Sequence, residues 1–544
     1  MKIYEYLYHS LKNQGVTKIF GVPGSYIKPL WENMNDIEII LCPNEADAAF
    51  IACGYARESR KLGVVFTTAS PGILNSIPGI ASANSDSLPL LVISGTCSQN
   101  YQGCGVFQEE SDSNRHFLSA SLTSLITKAS FNPVTPNETI ESIDLAISTA
   151  INGRAGSVHI SIPVDIQNEE IENEFLIPHQ PNSECTSNYS GLLEEFVILQ
   201  KPLIIAGFGC YLSNTEKILA NLAVKIGSPI ISTMKGKSCF SFHEEIYLGS
   251  LGLGANESII QFLKDYAPQE LIVVGSSLGN KDVSPILEVI ENCRILIFDE
   301  DSKYESRFKN TTMIVGGVKE HLTYYLENVK ERDAAIILEN IRNYKYDTYS
   351  NLQKKIETND LMSKIMVEVN NNFKKDMVIM PDAGNHYLAT LSLVQPIARG
   401  SFQIDAGIAS MGNAICSCVG MAYANMKKKY VCISGDGCML MHGNSLWVAS
   451  KDKLPVIFLV FNNGTLGRVR LGQINPENYK TTDIEHINFC NYAKSFDIDS
   501  VSVSSVEDFS VAFSYALSNN GPCLIEILCS KDEIPLCLKD SVIN

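Results

Sequence analysis

The feature that most constrains the fold is a repeated alternation of short apolar segments with longer helical patterns. The apolar segments are rich in Val and Ile, are bounded by turn residues, and are apolar at successive positions. Strands buried on both faces have this pattern, and their alternation with helices is typical of βα units. The sequence therefore predicts an α/β protein built from doubly wound parallel sheets. The predicted buried strands include residues 63–66, 90–93, 203–206, 271–274, 430–433 and 456–460.

The chain length and two interruptions of this alternation predict three domains. A chain of 544 residues is too long for one compact core, because a domain averages roughly 150 residues. Residues 167–190 are polar with Pro and Asn, and residues 327–355 are charged and helical in pattern. Both stretches are typical of linkers. We therefore expect an N-terminal domain at 1–168, a middle domain at 190–328 and a C-terminal domain at 355–544.

The net charge restricts the class of ligand. The chain has 43 basic and 60 acidic residues, a formal net charge of −17, without the clustered Lys and Arg that nucleic acid or an anionic membrane requires. No apolar run reaches the roughly 18 residues of a membrane helix. The first residues resemble an amphipathic helix rather than a secretory signal, and the cysteines are scattered. We expect a cytoplasmic protein that binds a small molecule, with no nucleic-acid or membrane partner.

Two polar clusters follow predicted strands in the last third of the chain. Asp436 follows the strand at 430–433, Asn463 follows the strand at 456–460, and a helix is predicted between them at about 441–450. The carboxyl ends of neighbouring parallel strands converge, and ligands bind there. Carboxylate and amide oxygens suit Mg²⁺, while the nearby glycines allow a phosphate to approach the backbone. Each cluster alone could be a turn; together they favour a metal-bound diphosphate.

The segment GDGCMLMHGNSLWVASKDKLPVIFLVFNNG, residues 435–464, resembles the thiamine-diphosphate motif of a known enzyme family. That family includes acetolactate synthase, pyruvate decarboxylase and benzoylformate decarboxylase, and the resemblance is nearest to the acetolactate synthase-like members. It implies three domains: a pyrimidine-binding domain, a middle Rossmann-like domain and a diphosphate-binding domain. By this resemblance Asp436 and Asn463 bind Mg²⁺ through side chains and Thr465 binds it through its carbonyl. Diphosphate contacts are implied for Gly435, Gly437 and Cys438.

A second resemblance lies near the start of the chain. The segment NEADAAFIACGYAR, residues 44–57, resembles the part of the family that carries the cofactor-activating glutamate. Glu45 is the matching residue, and the resemblance implies that its carboxyl group bonds the N1′ nitrogen of the aminopyrimidine. Without that context Glu45 could simply be a first-turn helix charge. Two further catalytic candidates are Ser25, in a loop after the first strand, and Gln108, in the segment FQE.

Two more C-terminal segments resemble the family. DAGNH, residues 382–386, resembles a loop in which an amide and a histidine bind the diphosphate, which implicates Asn385 and His386. GIASMG, residues 407–412, resembles the segment whose bulky apolar side chain holds the cofactor bent, which implicates Met411. A structural histidine and plain helix packing remain the alternative interpretations.

The substrate and flavin motifs depart from those of named family members. The adjacent histidine pair of pyruvate decarboxylases and the loop histidine of benzoylformate decarboxylase are absent from the corresponding segments. Residues 203–212 resemble a dinucleotide fingerprint, but Leu212 replaces its third glycine. The segment at 274–280 lacks the arginine often found in flavin-binding relatives. FAD is therefore not expected, although it is not excluded.

The resemblance implies a decarboxylase or carboligase that acts on a 2-oxoacid through a cofactor C2 carbanion and an enamine. The alternatives are a carbon-carbon lyase or hydrolase acting on an acyloin, a diketone or a 2-hydroxyacyl thioester, a non-catalytic paralogue, and an oxidoreductase that uses the middle domain. The family also implies a homodimer or homotetramer with the active site between subunits.

Overall fold

The computed structural model describes residues 1–111, 117–171, 200–301, 308–356 and 360–538. The described strands form three sheets in which neighbouring strands run parallel, each flanked by helices. The α/β prediction is confirmed, and so are the six predicted strands, which are fully or almost fully buried. In the described part of the chain, no helix combines the length and apolar character needed to cross a membrane.

The first sheet has the strand order β2-β1-β3-β4-β6-β5. Its central strands β3 and β4 are buried along their whole length, because helices cover both faces. The strands are β1 Lys18–Gly21, β2 Glu38–Leu41, β3 Gly63–Thr67, β4 Leu90–Thr96, β5 Ala129–Phe131 and β6 Ser157–Pro163, and the α-helices are Ile3–Asn13, Lys28–Glu32, Glu45–Ser59, Pro71–Ser85, Ser119–Thr123 and Pro136–Ile151.

The second sheet has the order β12-β11-β10-β7-β8-β9. Its chain reversal lies between β7 and β10, whose carboxyl ends face a large cavity described below. The strands are β7 Pro202–Ala206, β8 Ile230–Ser232, β9 Tyr247–Ser250, β10 Glu270–Val274, β11 Arg294–Asp299 and β12 Thr311–Val315, and the helices are Phe208–Leu212, Glu216–Ile226, Glu257–Tyr266, Asn280–Val283, Leu287–Ile290, Val318–Asn328 and Ala335–Ile356.

The third sheet has the order β13-β14-β15-β17-β16. The strands β14 and β15 pair from Tyr430 with Val456 to Gly435 with Phe461, so they end side by side. The strands are β13 Met377–Pro381, β14 Lys429–Gly435, β15 Val456–Asn462, β16 Asp499–Val503 and β17 Cys523–Leu528, and the helices are Leu361–Asn371, Asn385–Leu393, Asn413–Ala424, Asp436–His442, Ser445–Lys451, Gly467–Leu471, Phe489–Lys494 and Val506–Ser518.

The helix predicted at about 441–450 is wrong in its bounds. One helix, Asp436–His442, starts directly after β14, and a second, Ser445–Lys451, follows a break. At the break, a Cβ on Gly443 would lie 2.4 Å from the Met439 carbonyl oxygen and 2.9 Å from the Tyr492 ring, so only glycine fits there.

The domain boundaries stay predictions. Residues 172–190 of the first predicted linker lie outside the described residues. The second predicted linker, 327–355, contains most of the helix Ala335–Ile356, which agrees with its helical pattern.

The N-terminal and C-terminal domains pack together through the helices Glu45–Ser59 and Asn413–Ala424. Small residues allow this close contact: a Cβ on Gly54 would lie 2.6 Å from the Cα of Ser417. A buried ion pair lies close by, because the guanidinium of Arg57 contacts the Asp86 carboxylate at 2.5 Å, and Lys235 of the middle domain bonds the same carboxylate.

Candidate cofactor-binding site

The carboxyl ends of the neighbouring strands β13, β14 and β15 form the floor of a cavity of about 220 Å³. All nine C-terminal residues predicted from the sequence line it, which confirms that the two polar clusters converge. The sequence reasoning did not single out five other lining residues: Met362, Leu466, Gly467, Arg468 and Val469. The nine predicted lining residues are Asn385, His386, Met411, Gly435, Asp436, Gly437, Cys438, Asn463 and Thr465.

Asp436 joins the ends of β14 and β15. One carboxylate oxygen accepts a hydrogen bond from Gly437 N at 2.7 Å, and the other accepts from Gly464 N at 2.8 Å and Asn463 N at 3.2 Å. Burial raises the pKa of Asp436 above its ordinary value, although these backbone N–H groups oppose the rise. A buried carboxylate held in one orientation is suited to a divalent cation, whose charge would offset the cost of burial.

Asn463 and Thr465 offer further oxygen atoms beside Asp436. The Asn463 amide oxygen accepts from Thr465 N at 3.2 Å. The Thr465 hydroxyl donates to Thr482 O at 3.0 Å, so this side chain is already used. The Thr465 carbonyl accepts from Gly467 N at 2.8 Å and keeps a second lone pair. These groups match the hard oxygen ligands of Mg²⁺.

The first turn of the helix Asn385–Leu393, which follows β13, presents two polar side chains to the cavity. Asn385 and His386 are buried, and the Asn385 Oδ1 and His386 Nε2 atoms have no hydrogen-bond partner among the described residues. Burial lowers the pKa of His386 to about 4, so the ring is neutral near pH 7. Buried polar atoms without partners are costly, and a bound ligand would satisfy them.

Asp382 connects the loop after β13 to the segment that contains Met411 through hydrogen bonds. One carboxyl oxygen accepts from Ala383 N at 2.8 Å and from Gly412 N at 2.9 Å. Burial raises the pKa of Asp382 to about 6. The sequence motif contains Asp382, but its link to residue 412 depends on tertiary structure and was not predicted.

The cavity fits a metal-bound diphosphate. A Cβ on Gly435 would lie 2.9 Å from the His386 ring, and one on Gly437 would lie 2.6 Å from Leu466 and 2.9 Å from Met411. The glycines therefore keep open a space that any side chain would fill. That space, the oxygen set around Asp436 and the unpaired polar atoms agree with thiamine diphosphate and Mg²⁺.

Glu45 lies elsewhere in the chain, at the first position of the helix Glu45–Ser59 and just beyond the end of β2. Its side chain is buried, and one carboxylate oxygen accepts from Asn75 Nδ2 at 3.0 Å. Asn44 caps the same helix by accepting from Asp47 N at 2.8 Å. Glu45 does not line the C-terminal cavity.

Ser25 and Gln108 lie in loops at the same end of the first sheet as Glu45. Ser25 is exposed. Gln108 has a φ of +55° and Ser70 has a φ of +45°, and the Ser70 hydroxyl donates to Gln108 O at 3.1 Å. Left-handed conformations of this kind concentrate at functional sites. Neither Ser25 nor Gln108 lines the C-terminal cavity, so the candidate residues form two groups at two sheet edges.

A buried polar cluster links the two groups within one chain. The Asp47 carboxylate contacts His442 Nδ1 at 2.5 Å and accepts from the Ser445 hydroxyl at 2.8 Å. Asp47 lies two residues after Glu45, and His442 ends the helix that begins at Asp436. The Cys416 thiol lies 3.2 Å from the Ser445 hydroxyl. No sequence pattern indicated this pairing.

A separate cavity of about 720 Å³ lies beside the carboxyl ends of β7 and β10. Gly207, Gly209 and Gly275 are close to one another there: a Cβ on Gly209 would lie 2.6 Å from the Cα of Gly275. Strand-to-helix packing thus explains these glycines without a nucleotide. The expectation about FAD stays a prediction.

Comparison with known families agrees with this geometry. Residues 1–116 match the thiamine pyrophosphate enzyme N-terminal TPP-binding domain, 193–324 match the central domain, and 382–527 match the C-terminal TPP-binding domain. The chain belongs to the thiamine pyrophosphate enzyme family; thiamine pyrophosphate is another name for thiamine diphosphate.

Within this family the chain is similar to acetolactate synthases. It is 26% identical to the acetolactate synthase isozyme 2 large subunit of Escherichia coli K12, over 97% of this chain and 95% of the relative. It is 27% identical to a probable acetolactate synthase large subunit of Methanocaldococcus jannaschii, covering 98% and 93%. It is also 27% identical to the Lactococcus lactis large subunit, covering 96% and 92%.

Proposed function

We propose that this thiamine-diphosphate enzyme decarboxylates a 2-oxoacid and transfers the remaining fragment to an acceptor carbonyl. The observation that carries the proposal is the cavity in which Asp436, Asn463 and Thr465 meet beside two glycines that keep it open. The likeness to acetolactate synthases supports the carboligase outcome. A small-molecule carbonyl compound is the proposed partner.

Each of the nine predicted residues of the C-terminal cavity has a proposed task. When bound, thiamine diphosphate supplies a nucleophilic carbon and an electron sink for cleaving a bond beside a carbonyl group. The oxygens of Asp436, Asn463 and Thr465 would hold Mg²⁺ against the diphosphate. Asn385, His386 and the backbone at Gly435, Gly437 and Cys438 would bind the phosphate oxygens. Met411 would pack beneath the rings and exclude water.

Glu45 is the proposed acid that holds a proton at the pyrimidine nitrogen. Its burial and its bond from Asn75 restrict its rotamers, as a group that positions a proton requires. Because Glu45, Ser25 and Gln108 lie away from the cavity in one chain, we propose a homodimer, or a homotetramer made of dimers. The active site would then lie between the N-terminal domain of one subunit and the C-terminal domain of another.

The variant Glu45→Gln tests this assignment. We expect it to bind thiamine diphosphate but to slow exchange of the cofactor C2 proton by roughly 100-fold or more, because proton transfer contributes about that factor. Proton exchange is measured by NMR after acid quenching. The control is Glu141→Gln, an exposed acid of the same domain. An exchange rate in Glu45→Gln equal to that of the control would refute the assignment.

The reaction itself is tested by product analysis. The cofactor-loaded protein is incubated with a panel of 2-oxoacids, alone and with aldehyde or ketone acceptors. Release of CO₂ with formation of a new carbon-carbon bond is the expected result. Cleavage of acyloins or diketones without CO₂ release would favour the lyase alternative, and no reaction with cofactor bound would favour a non-catalytic paralogue.

A further inference from the structure

We infer that Arg468 binds an anionic group that stays on the carbonyl substrate throughout the reaction. This inference rests on the proposed function and adds a substrate class to it: a carbonyl compound with a carboxylate or similar anion that does not react. The anion could belong to the donor 2-oxoacid, as a second acidic group, or to the acceptor. Arg468 would be a specificity-determining residue.

The first observation is the position of Arg468 on the cavity wall. Among the described residues that line the cavity, it is the only side chain with a permanent positive charge. It lies three residues after Thr465, in the short helix Gly467–Leu471. A Cβ on Gly467 would lie 2.9 Å from Asn385 Nδ2 and 3.1 Å from Asn463 Nδ2, so this helix begins directly against the proposed binding residues.

The second observation is a contrast with Arg470 in the same helix. The Arg470 guanidinium is buried, bonds Asp483 at 3.1 Å and Asp532 at 3.0 Å, and lies 4.2 Å from the centre of the Tyr479 ring. Arg470 thus serves the fold. The Arg468 side chain is exposed and forms no hydrogen bond or ion pair with any described residue. Its charge is therefore available to a ligand.

The chemistry of decarboxylation argues against pairing with the departing carboxylate. Only interactions that strengthen in the transition state accelerate a reaction. A carboxylate that leaves as CO₂ loses its negative charge, so an ion pair with it would stabilise the starting state and slow the step. A group that keeps its charge has no such cost. Arg468 therefore suits an anion that persists, held by charge-assisted hydrogen bonds.

The test uses the cofactor-loaded proteins Arg468→Met and Arg468→Lys. The control is Lys480→Met, which removes an exposed cation that does not line the cavity. The donor arm compares 2-oxoglutarate with 2-oxobutyrate, which differ by a distal carboxylate. The acceptor arm compares pyruvate with acetaldehyde. A binding arm measures calorimetrically the uptake of lactate and of uncharged lactamide, so that one readout does not depend on turnover.

We expect Arg468→Met to raise the KM or Kd of the charged member of one pair by about tenfold or more. The uncharged member and the control should be unchanged, and Arg468→Lys should restore part of the loss. The arm that responds identifies the source of the anion. Equal effects on charged and uncharged compounds, a loss of cofactor affinity alone, or no effect would overturn the inference. Failure of the wild-type protein to bind cofactor would instead refute the proposed function.

Discussion

The buried cluster of Asp47, His442 and Ser445 should stabilise the contact between the N-terminal and C-terminal domains by a measurable free energy. The Asp47 carboxylate accepts a hydrogen bond from Ser445 and contacts His442, and all three groups are buried or nearly so. In Asp47→Ala both partners lose their acceptor inside the protein. An unsatisfied buried polar group costs about 1–3 kcal/mol. Losing the acceptor of both His442 and Ser445 should therefore lower the free energy of unfolding by roughly 3–5 kcal/mol. In Asp47→Asn one oxygen remains, and the loss should be about 1–2 kcal/mol.

Hydrogen-deuterium exchange measures this loss where it arises. The helices Glu45–Ser59 and Asn413–Ala424 pack on each other next to the cluster, and their amides should lose protection together. A loss of 3–5 kcal/mol corresponds to a roughly 200- to 5,000-fold faster exchange. Asp36→Asn, which changes an exposed carboxylate paired with Lys12, is the control. If Asp47→Ala exchanges like the control in both helices, the cluster does not stabilise the interface and the reasoning is refuted.

Two further variants test the C-terminal cavity. Gly437→Ala should fold, since its methyl would meet the flexible ends of Leu466 at 2.6 Å and Met411 at 2.9 Å, but it should weaken thiamine diphosphate binding by roughly tenfold or more because overpacking costs about 1–3 kcal/mol. Gly472→Ala, whose Cβ would lie 3.5 Å from Val469 O, is the matched control, and equal cofactor affinities in the two variants would contradict the cavity assignment. Asp382→Asn tests pH dependence: burial raises the pKa of Asp382 to about 6 from 3.8, so the folded metal-free protein holds a proton that the unfolded chain releases between those values. The free energy of unfolding should therefore fall by roughly 3 kcal/mol in all as the pH rises through and beyond this range, with about 2 kcal/mol of that between about pH 4 and about pH 6. In Asp382→Asn, thermal unfolding should lack that part of the slope, and an unchanged slope would show that another group is responsible.

Local pattern was sufficient to predict the buried strands and the approach of Asp436 to Asn463. Buried parallel strands are apolar on both faces, and this pattern identified β14 and β15. Because the carboxyl ends of neighbouring parallel strands converge, Asp436 was then expected to lie beside Asn463. Helix bounds were less predictable: the helix breaks at Gly443, where a Cβ would meet both the Met439 carbonyl of the preceding turn and the ring of distant Tyr492. Resemblance, rather than periodicity, indicated Glu45.

Contacts between distant residues were not predictable. Asp47 and His442 are 395 positions apart, and nothing in either local sequence indicates the other. Arg468 and Arg470 differ only in their surroundings, because one faces a cavity and the other meets two carboxylates. From the sequence alone, both arginines would be interpreted as solvent-exposed surface charges.

The most direct test of the account is calorimetric titration of the intact protein with thiamine diphosphate, with and without Mg²⁺. We predict uptake that requires the metal, is lost on adding a chelator, and is at least roughly tenfold weaker in Asp436→Asn, because a charged metal ligand is removed. Uptake that is indifferent to both metal and Asp436, or no uptake by the wild-type protein, would contradict it.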